Sequence, residues 1–271
     1  MEILREEKAS GSVHYRDTIK ITFRSPYDGL EDWALIERGR TSTWVIMLHG
    51  HGSQGDQLFT RQDVATQWLP FLRDRGLGIL SPNLRGNAWM CRSAVSDLRD
   101  LVAFVRRKYD VKAFIFATGS MGGTGALIYA VNHPEDIAGV CALCSATDIG
   151  RYYAFCRANT NQLPVLDEIA AAIEKSYGGT PETAPANYRT NSTLNHAARL
   201  GMPIYLCHGD NDPNIPVEES RTLVAALEKH GKKHIYVELK GGHHDSPIPE
   251  LPKGIDWLLE QTMTGNTRKG Q

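Results

Sequence analysis

The sequence predicts an α/β fold in which a mostly parallel central sheet is flanked by helices and carries a small helical cap insertion. Short, continuously apolar runs alternate with amphipathic helical stretches along most of the 271 residues, as is typical of parallel strands covered on both faces. Hydrophobic residues make up 41% of the chain and charged residues 23%, as in soluble globular proteins. The length suits one domain, which we assign to residues 1–271.

Apolar runs supply the predicted strands of the parallel sheet. They lie at residues 43–48, 76–80, 113–117, 137–144, 203–207 and 234–239. An antiparallel lead-in precedes them, formed by residues 13–25 and 32–37 on either side of a turn that begins at Pro26. We expect this lead-in to form the edge of the sheet.

Helices are predicted between the strands. The spacing of Leu98, Leu101 and Val105 predicts a helix over residues 96–108. Other helices are predicted at residues 124–132, 164–176, 217–230 and 254–262. Residues 147–200 contain no good strand although they fall between two strands of the sheet, so we expect them to form a helical cap. Such a cap would lie over the carboxyl ends of the strands, where open α/β sheets bind ligands.

Composition argues against several classes of partner. The net charge of −1 creates no field that would attract nucleic acid or anionic lipid. No apolar run approaches the ~20 residues of a membrane span, and the charged residues 1–12 lack the apolar core of a signal peptide, so we expect a cytoplasmic protein. The five scattered cysteines indicate reduced core thiols, including Cys141 and Cys144 in a predicted buried strand. The sequence leaves the oligomeric state open, a homo-oligomer included.

The motif Gly119-Ser120-Met121-Gly122-Gly123 stands between a predicted strand and a predicted helix. A tight turn there lifts its central side chain above the sheet, and its neighbours must be small because the strand and the helix approach closely. The positive dipole end of the helix points toward the same place. Ser120 is therefore the candidate nucleophile. A phosphate-binding loop is disfavoured, because no Gly-Lys-Ser/Thr sequence follows.

A serine nucleophile needs a base, and an acid that orients the base. Asp212 follows one predicted strand and His243 follows the last one, and the carboxyl ends of parallel strands share one edge of the sheet. The residues Ser120, Asp212 and His243 therefore predict a catalytic triad. The alternatives that remain open are Asp210 or Asp148 as the acid and His244 as the base.

The sequence His49-Gly50-His51-Gly52 follows the first long apolar strand. Its glycines allow the backbone after Gly50 to turn toward a substrate carbonyl, so we expect the N–H groups of His51 and Met121 to form an oxyanion hole. A competing hypothesis assigns a metal site to His49, His51, His243, His244 and Asp245. The spacing of two histidines one residue apart is a weak signal, and we predict neither a metal nor an organic cofactor.

These motifs resemble those of the α/β-hydrolase superfamily from about residue 20 to the end of the chain. Within that span, residues 177–182, 187–189 and 203–216 are similar to the catalytic domain of the prolyl oligopeptidase family, and dienelactone hydrolase-like esterases are also similar. The resemblance implies a serine nucleophile, an acid–base histidine and hydrolysis of an acyl bond. Its His-Gly-x-x-Asp and Gly-x-His patterns select Asp212 and His243.

The chain departs from this family in two respects. Thr118 stands where the family usually has glycine, two residues before the nucleophile. Prolyl oligopeptidases also carry a β-propeller before the hydrolase domain, whereas about forty residues precede the first core strand here. The second difference favours an esterase over a peptidase.

We therefore expect a serine hydrolase that cleaves carboxylic esters of small molecules through an acyl-enzyme. Tyr152 and Tyr153, at the start of the cap, are candidates either for the substrate pocket or for the core of the cap. The rival enzyme hypothesis is a serine peptidase or amidase that acts on small peptides. A non-catalytic ligand-binding protein is the third hypothesis, which the presence of Ser120, Asp212 and His243 disfavours.

Overall fold

A nine-stranded sheet runs through the centre of the computed structural model, which describes residues 1–267, with side chains to residue 262. The strands are β1 (Glu2–Lys8), β2 (Thr18–Arg24), β3 (Glu31–Glu37), β4 (Thr43–Ile46), β5 (Gly78–Pro82), β6 (Ala113–Gly119), β7 (Gly139–Leu143), β8 (Ile204–Gly209) and β9 (His234–Leu239). Their order across the sheet is β1-β2-β3-β5-β4-β6-β7-β8-β9. The first three strands and the β3–β5 pair are antiparallel, and the strands from β5 to β9 are parallel.

Helices connect the parallel strands. They are α1 (Gln57–Thr60), α2 (Gln62–Asp74), α3 (Arg92–Tyr109), α4 (Ser120–Asn132), α5 (Ile149–Ala158), α6 (Val165–Tyr177), α7 (Pro185–Thr190), α8 (Glu218–Lys229) and α9 (Leu251–Thr267). Short 3₁₀ helices lie at Pro134–Asp136, Leu194–Arg199 and Ile248–Glu250. Within the part of the chain that the structure describes, no helix is both long enough and apolar enough to cross a membrane.

The sheet separates two hydrophobic clusters, because successive side chains of a strand point to opposite faces. On β6, Phe114 and Phe116 belong to the cluster that includes α3 and α4, whereas Ile115 and Ala117 belong to the cluster that includes α2 and α9. These β6 side chains are fully buried. Continuous burial on both faces explains why the strands read as uninterrupted apolar runs.

The predicted fold class is confirmed: the central sheet is mostly parallel, with helices on both faces. The sequence pattern does not predict β1, whose seven residues include five charged ones and which lies at the edge of the sheet. Charged side chains are common on edge strands because they discourage pairing with other chains. The pattern also leaves out α2, although Val64, Trp68 and Leu72 recur at helical spacing on its buried face.

Between β7 and β8 the chain forms α5, α6, α7 and the 3₁₀ helix at Leu194–Arg199. This segment, residues 147–200, is the helical cap that the sequence predicts. The apolar face of α6 is buried, with Leu166, Ala170 and Ile173 at most 1% exposed. These side chains belong to the same hydrophobic cluster as α3 and α4, so the cap packs onto the main core. Its α6 residues Val165 and Ile169 line a cavity at the carboxyl ends of the strands.

Candidate active site

Ser120 lies at the turn between β6 and α4. Its φ of +57° places it in the left-handed region, which is uncommon for a residue with a Cβ atom. A Cβ atom on Gly122 would collide with the backbone oxygen of Leu48, so only glycine fits there. These features match the sharp turn that presents a nucleophilic serine above an α/β sheet.

Thr118, which departs from the resembled family pattern, fits the same turn. Its side chain is buried, and its Oγ1 donates a hydrogen bond of 2.5 Å to the backbone oxygen of Leu48. The hydroxyl thus joins the end of β6 to the residues that follow β4. A β-branched residue is also favourable in a strand.

His244 connects Ser120 to Asp212. Its Nε2 lies 2.9 Å from Ser120 Oγ and its Nδ1 lies 2.7 Å from Asp212 Oδ2. Since the carboxylate only accepts hydrogen bonds, Nδ1 carries the proton and Nε2 is free to accept one from the serine hydroxyl. The three side chains are therefore arranged as a Ser–His–Asp triad.

The sequence-based choice of His243 as the base is corrected by this geometry. The ring of His243 is exposed, and its Nδ1 donates a hydrogen bond of 3.1 Å to the backbone oxygen of Asn211. Two adjacent residues on a loop point in different directions, so at most one of the two rings can reach the serine. The loop is fixed by Gly242, whose backbone oxygen accepts from the N–H of Asn211 at 2.9 Å.

Asp212 lies on the loop after β8, and its carboxylate is held by several donors. Oδ1 accepts hydrogen bonds from the backbone N–H groups of Asn214, at 2.8 Å, and Ile215, at 3.1 Å. Oδ2 accepts from His244 and also from the buried His208, whose Nε2 is 3.2 Å away. Burial by itself raises the pKa of Asp212, but the hydrogen bonds from His208 and His244 outweigh it and hold this pKa well below its ordinary value. The carboxylate is therefore ionised at neutral pH.

The alternative acids occupy other positions. Asp210 accepts a hydrogen bond from the backbone of Gly241 at 2.6 Å and thereby connects the two loops of the site. Asp148 caps the N-terminus of α5 and accepts from the hydroxyl of Ser192 at 2.8 Å. Neither carboxylate takes the position of Asp212 beside His244.

The loop after β4 lies against Ser120. A Cβ atom placed on Gly50 would be 3.9 Å from the Cβ atom of Ser120. The N–H of Gly50 donates a hydrogen bond of 2.7 Å to Gln57 Oε1, so it is already paired. Met121 is the second residue of α4, so its N–H has no acceptor within the helix. The structure therefore brings both candidate oxyanion residues next to the serine.

Two groups of side chains within the described residues come close enough to share a metal ion. Cys144, Asp212 and His244 form one, and His133, Glu135 and Asp136 form the other. The first group shares Asp212 and His244 with the triad, where the two side chains are hydrogen-bonded to each other. The larger set around His49 and His51 that the sequence suggests does not converge in the described part of the chain, and the two ring nitrogens of His49 lie 2.9 and 2.8 Å from backbone oxygens.

A cavity of about 290 Å³ opens in front of Ser120. Its apolar walls come from α2, the end of β7 and the cap, and its polar edge comes from the segment between β4 and α2 and from the loop after β8. The apolar lining includes Val64, Trp68, Leu143, Tyr152, Val165 and Ile169, and the polar lining includes Ser53, Gln57, Arg61 and Asn214.

The two candidate tyrosines of the cap, Tyr152 and Tyr153, lie in different surroundings. Tyr152 lines the cavity, and its hydroxyl donates a hydrogen bond of 3.1 Å to the backbone oxygen of Asn214. Tyr153 instead donates to Glu174 at 2.8 Å and packs against Tyr188, inside the cap. The expectation that Tyr153 binds substrate is therefore corrected, because consecutive residues of a helix face different directions.

The strand-to-helix serine, the triad and the sheet order together define an α/β-hydrolase. Residues 64–261 match the model of the prolyl oligopeptidase family. Since this match covers more than half of the sequence, the chain belongs to the prolyl oligopeptidase family. A comparison with curated proteins finds no significant match.

Solved structures show the same fold. A thermostable esterase superposes with a TM-score of 0.64 at 20% identity over 90% of this chain and 62% of its own. The acylaminoacyl peptidase of Pyrococcus horikoshii gives a TM-score of 0.65 at 17% identity over 88% of this chain and 40% of its own. An S-formylglutathione hydrolase from Agrobacterium tumefaciens gives 0.67 at 13% identity over 96% and 99%. The chain thus spans less than two thirds of the first two proteins.

Proposed function

We propose that the protein is a serine hydrolase that cleaves carboxylic esters of small molecules, with Ser120 as the nucleophile. The observation that carries this proposal is the unbroken hydrogen-bond chain from Ser120 through His244 to Asp212 at the wall of a cavity. A serine hydroxyl is unreactive at neutral pH without such a base.

In the first half of the reaction, Ser120 Oγ attacks the ester carbonyl while His244 Nε2 takes its proton. Asp212 holds the neutral tautomer of His244 and then stabilises the imidazolium. The backbone N–H groups of His51 and Met121 donate to the oxyanion, each contributing about 3 kcal/mol to transition-state stabilisation. His244 returns the proton to the leaving alcohol, which leaves an acyl-enzyme on Ser120.

In the second half, His244 takes a proton from water, and the resulting hydroxide attacks the acyl carbonyl. The oxyanion is held at the same two N–H groups. His244 then gives the proton back to Ser120 Oγ as the carboxylic acid departs. Every proton transfer in this sequence of steps passes through His244. We therefore propose that no metal or organic cofactor takes part.

The cavity supports a small ester as the substrate. Its volume of about 290 Å³ lies at the lower end of the range for ligand sites. Its apolar side chains suit the hydrocarbon part of an acyl or alcohol group. The net charge of −1 supports a small molecule rather than nucleic acid or a membrane as the partner. The unpaired buried cysteines support a reducing, cytoplasmic location.

A serine peptidase or amidase that acts on small peptides is the second candidate. It is favoured by the family match and by the similarity to the acylaminoacyl peptidase. Both candidates use the same triad, and the difference lies in the leaving group, because an amine is a much poorer leaving group than an alcohol and depends more strongly on its protonation by His244. An esterase would turn over activated esters far faster than aminoacyl amides.

A panel of substrates distinguishes the two candidates. It would contain p-nitrophenyl esters of increasing acyl length, acetylated sugars and aminoacyl amides, with Ser120→Ala as the blank. Ester turnover that requires Ser120, together with slow turnover of amides, supports the proposal. Amide turnover at rates equal to those of the esters would favour the peptidase. Failure of a fluorophosphonate probe to label the folded protein would favour a binding protein without catalysis.

A further inference from the structure

His51 lines the active-site cavity, and its imidazole ring makes a contact of its own, independent of the backbone N–H. The ring is half-buried and packs against Trp89, with ring centroids 5.9 Å apart. The indole Nε1 of Trp89 donates a hydrogen bond of 3.3 Å to His51 Nδ1. Indole nitrogen is a donor only, so Nδ1 of His51 is the acceptor and carries no proton.

This contact fixes the tautomer of His51. With Nδ1 unprotonated, the neutral ring carries its proton on Nε2. Burial lowers the pKa of His51, and the neighbouring His49 lowers it further, while Glu168 acts in the opposite direction. The ring is therefore neutral at neutral pH and presents Nε2–H as a hydrogen-bond donor.

Nothing in the described part of the chain accepts a hydrogen bond from that donor. The only hydrogen bond of the His51 ring among these residues is the one from Trp89. His51 lines the same cavity as Ser120. Among the described residues Nε2 is not one of the buried polar atoms that lack a partner, so this donor is accessible, and a ligand in the cavity can supply its acceptor.

Trp89 is itself held in place by the cap, and its hydrogen bond to His51 therefore fixes the orientation of the His51 ring. The indole is 1% exposed and packs against Tyr152, with ring centroids 5.4 Å apart. The backbone oxygen of Trp89 accepts a hydrogen bond of 2.9 Å from the hydroxyl of Tyr177 on α6. The cap thus fixes Trp89, and Trp89 fixes the His51 ring.

We propose that the His51 imidazole binds a polar oxygen of the substrate beside the scissile ester bond, and so selects substrates that carry such an acceptor. The oxyanion already has the two backbone N–H groups assigned above, which leaves the ring donor for a second oxygen. This inference rests on the proposed esterase function. The favoured substrates are esters with an amide carbonyl or an ether oxygen in the flanking group, rather than plain alkyl esters.

Two matched pairs of esters test the proposal. p-Nitrophenyl N-acetylglycinate and p-nitrophenyl pentanoate have acyl chains of equal length, and only the first contains an amide. 2-Methoxyethyl acetate and butyl acetate differ in the same way on the alcohol side. The readout is the ratio of kcat/KM within each pair, compared between the wild type and His51→Phe, so that the intrinsic reactivity of the esters cancels.

The proposal predicts that His51→Phe lowers this ratio about tenfold for at least one pair. His51→Gln, which restores an N–H donor, should recover most of the ratio. His230→Phe, an exposed histidine after α8, is the matched control and should leave both ratios as in the wild type. If His51→Phe does not fold, Trp89→Phe should give a smaller fall in the same ratio, because without the indole donor the His51 ring populates both tautomers and Nε2 carries its proton only part of the time.

Ratios that agree within about twofold in all variants for both pairs, with turnover still dependent on Ser120, would overturn this inference and leave the esterase proposal intact. Turnover that persists in Ser120→Ala would overturn the esterase proposal and the inference with it. The two failures are therefore distinguishable in one set of measurements.

Discussion

His208 lies beside the same carboxylate oxygen of Asp212 that accepts from His244, and its single Nε2 proton is shared between that oxygen and the backbone oxygen of Ile215. The ring of His208 is completely buried, its Nε2 is 3.2 Å from Asp212 Oδ2 and 2.9 Å from the backbone oxygen of Ile215, and its Nδ1 is 2.7 Å from Ser220 Oγ. The backbone oxygen requires a donor, so Nε2 carries the proton and Nδ1 accepts from the serine hydroxyl. The sequence identifies His208 only as the first residue of the His-Gly-x-x-Asp pattern. In the structure this histidine connects the triad to α8.

His208→Ala should therefore affect both stability and catalysis. It leaves Asp212 with one donor fewer and the hydroxyl of Ser220 without its acceptor, so we expect the free energy of unfolding to fall by about 1–3 kcal/mol. We expect kcat to fall by roughly tenfold, because the carboxylate is less firmly held. Urea unfolding and ester kinetics measure the two effects. Wild-type values of both in His208→Ala would contradict this role.

Replacing the two adjacent histidines separately tests which of them is the base. His244→Ala removes the group that accepts the proton of Ser120, and we expect kcat to fall by about 10⁴-fold or more. His243→Ala removes an exposed ring that is hydrogen-bonded to the backbone oxygen of Asn211, on the loop after β8, and we expect kcat to stay within about threefold of the wild type. Each variant is the control for the other, because both substitutions remove one imidazole from the same loop. A larger loss in His243→Ala would mean that the loop adopts another register.

The extent to which sequence predicts this protein follows from the kind of contact involved. The parallel strands and the position of Ser120 are predictable because burial on both faces and the close strand-to-helix turn restrict which residues can occur there. The choice between His243 and His244 is not predictable in this way. It depends on the direction of the chain through one glycine-containing loop, and both histidines satisfy the same local pattern.

Tyr152 and Tyr153 differ for the same reason. They are adjacent on α5 and chemically identical, and only the packing of α5 against α6 decides which ring reaches the cavity. The indole-to-imidazole contact between Trp89 and His51 joins residues 38 positions apart. Sequence motifs do not indicate such a contact, because the position of the Trp89 indole depends on how the cap packs against it.

The lowered pKa of Asp212 predicts how stability depends on pH. A carboxyl group whose folded pKa lies below its unfolded value of about 3.9 stabilises the fold above that pH, and this contribution is lost as the pH falls further. We expect the free energy of unfolding of the wild type to decrease as the pH drops below about 4, and to decrease less steeply in Asp212→Asn. Urea titrations between pH 3 and 6 measure both slopes. Equal slopes would contradict a lowered pKa in the folded state.

Gly122→Ala tests the close contact on which the position of Ser120 depends. The new Cβ atom would collide with the backbone oxygen of Leu48, which cannot move without disturbing the loop that carries Gly50 and His51. We expect the variant to lose about 1–3 kcal/mol of folding free energy and most of its hydrolase activity. Gly201→Ala is the matched control, since a Cβ atom there meets nothing within 4 Å and the backbone is not in the left-handed region. Thermal unfolding and fluorophosphonate labelling of both variants measure the effect, and equal behaviour of the two would show that the turn at Ser120 tolerates a side chain.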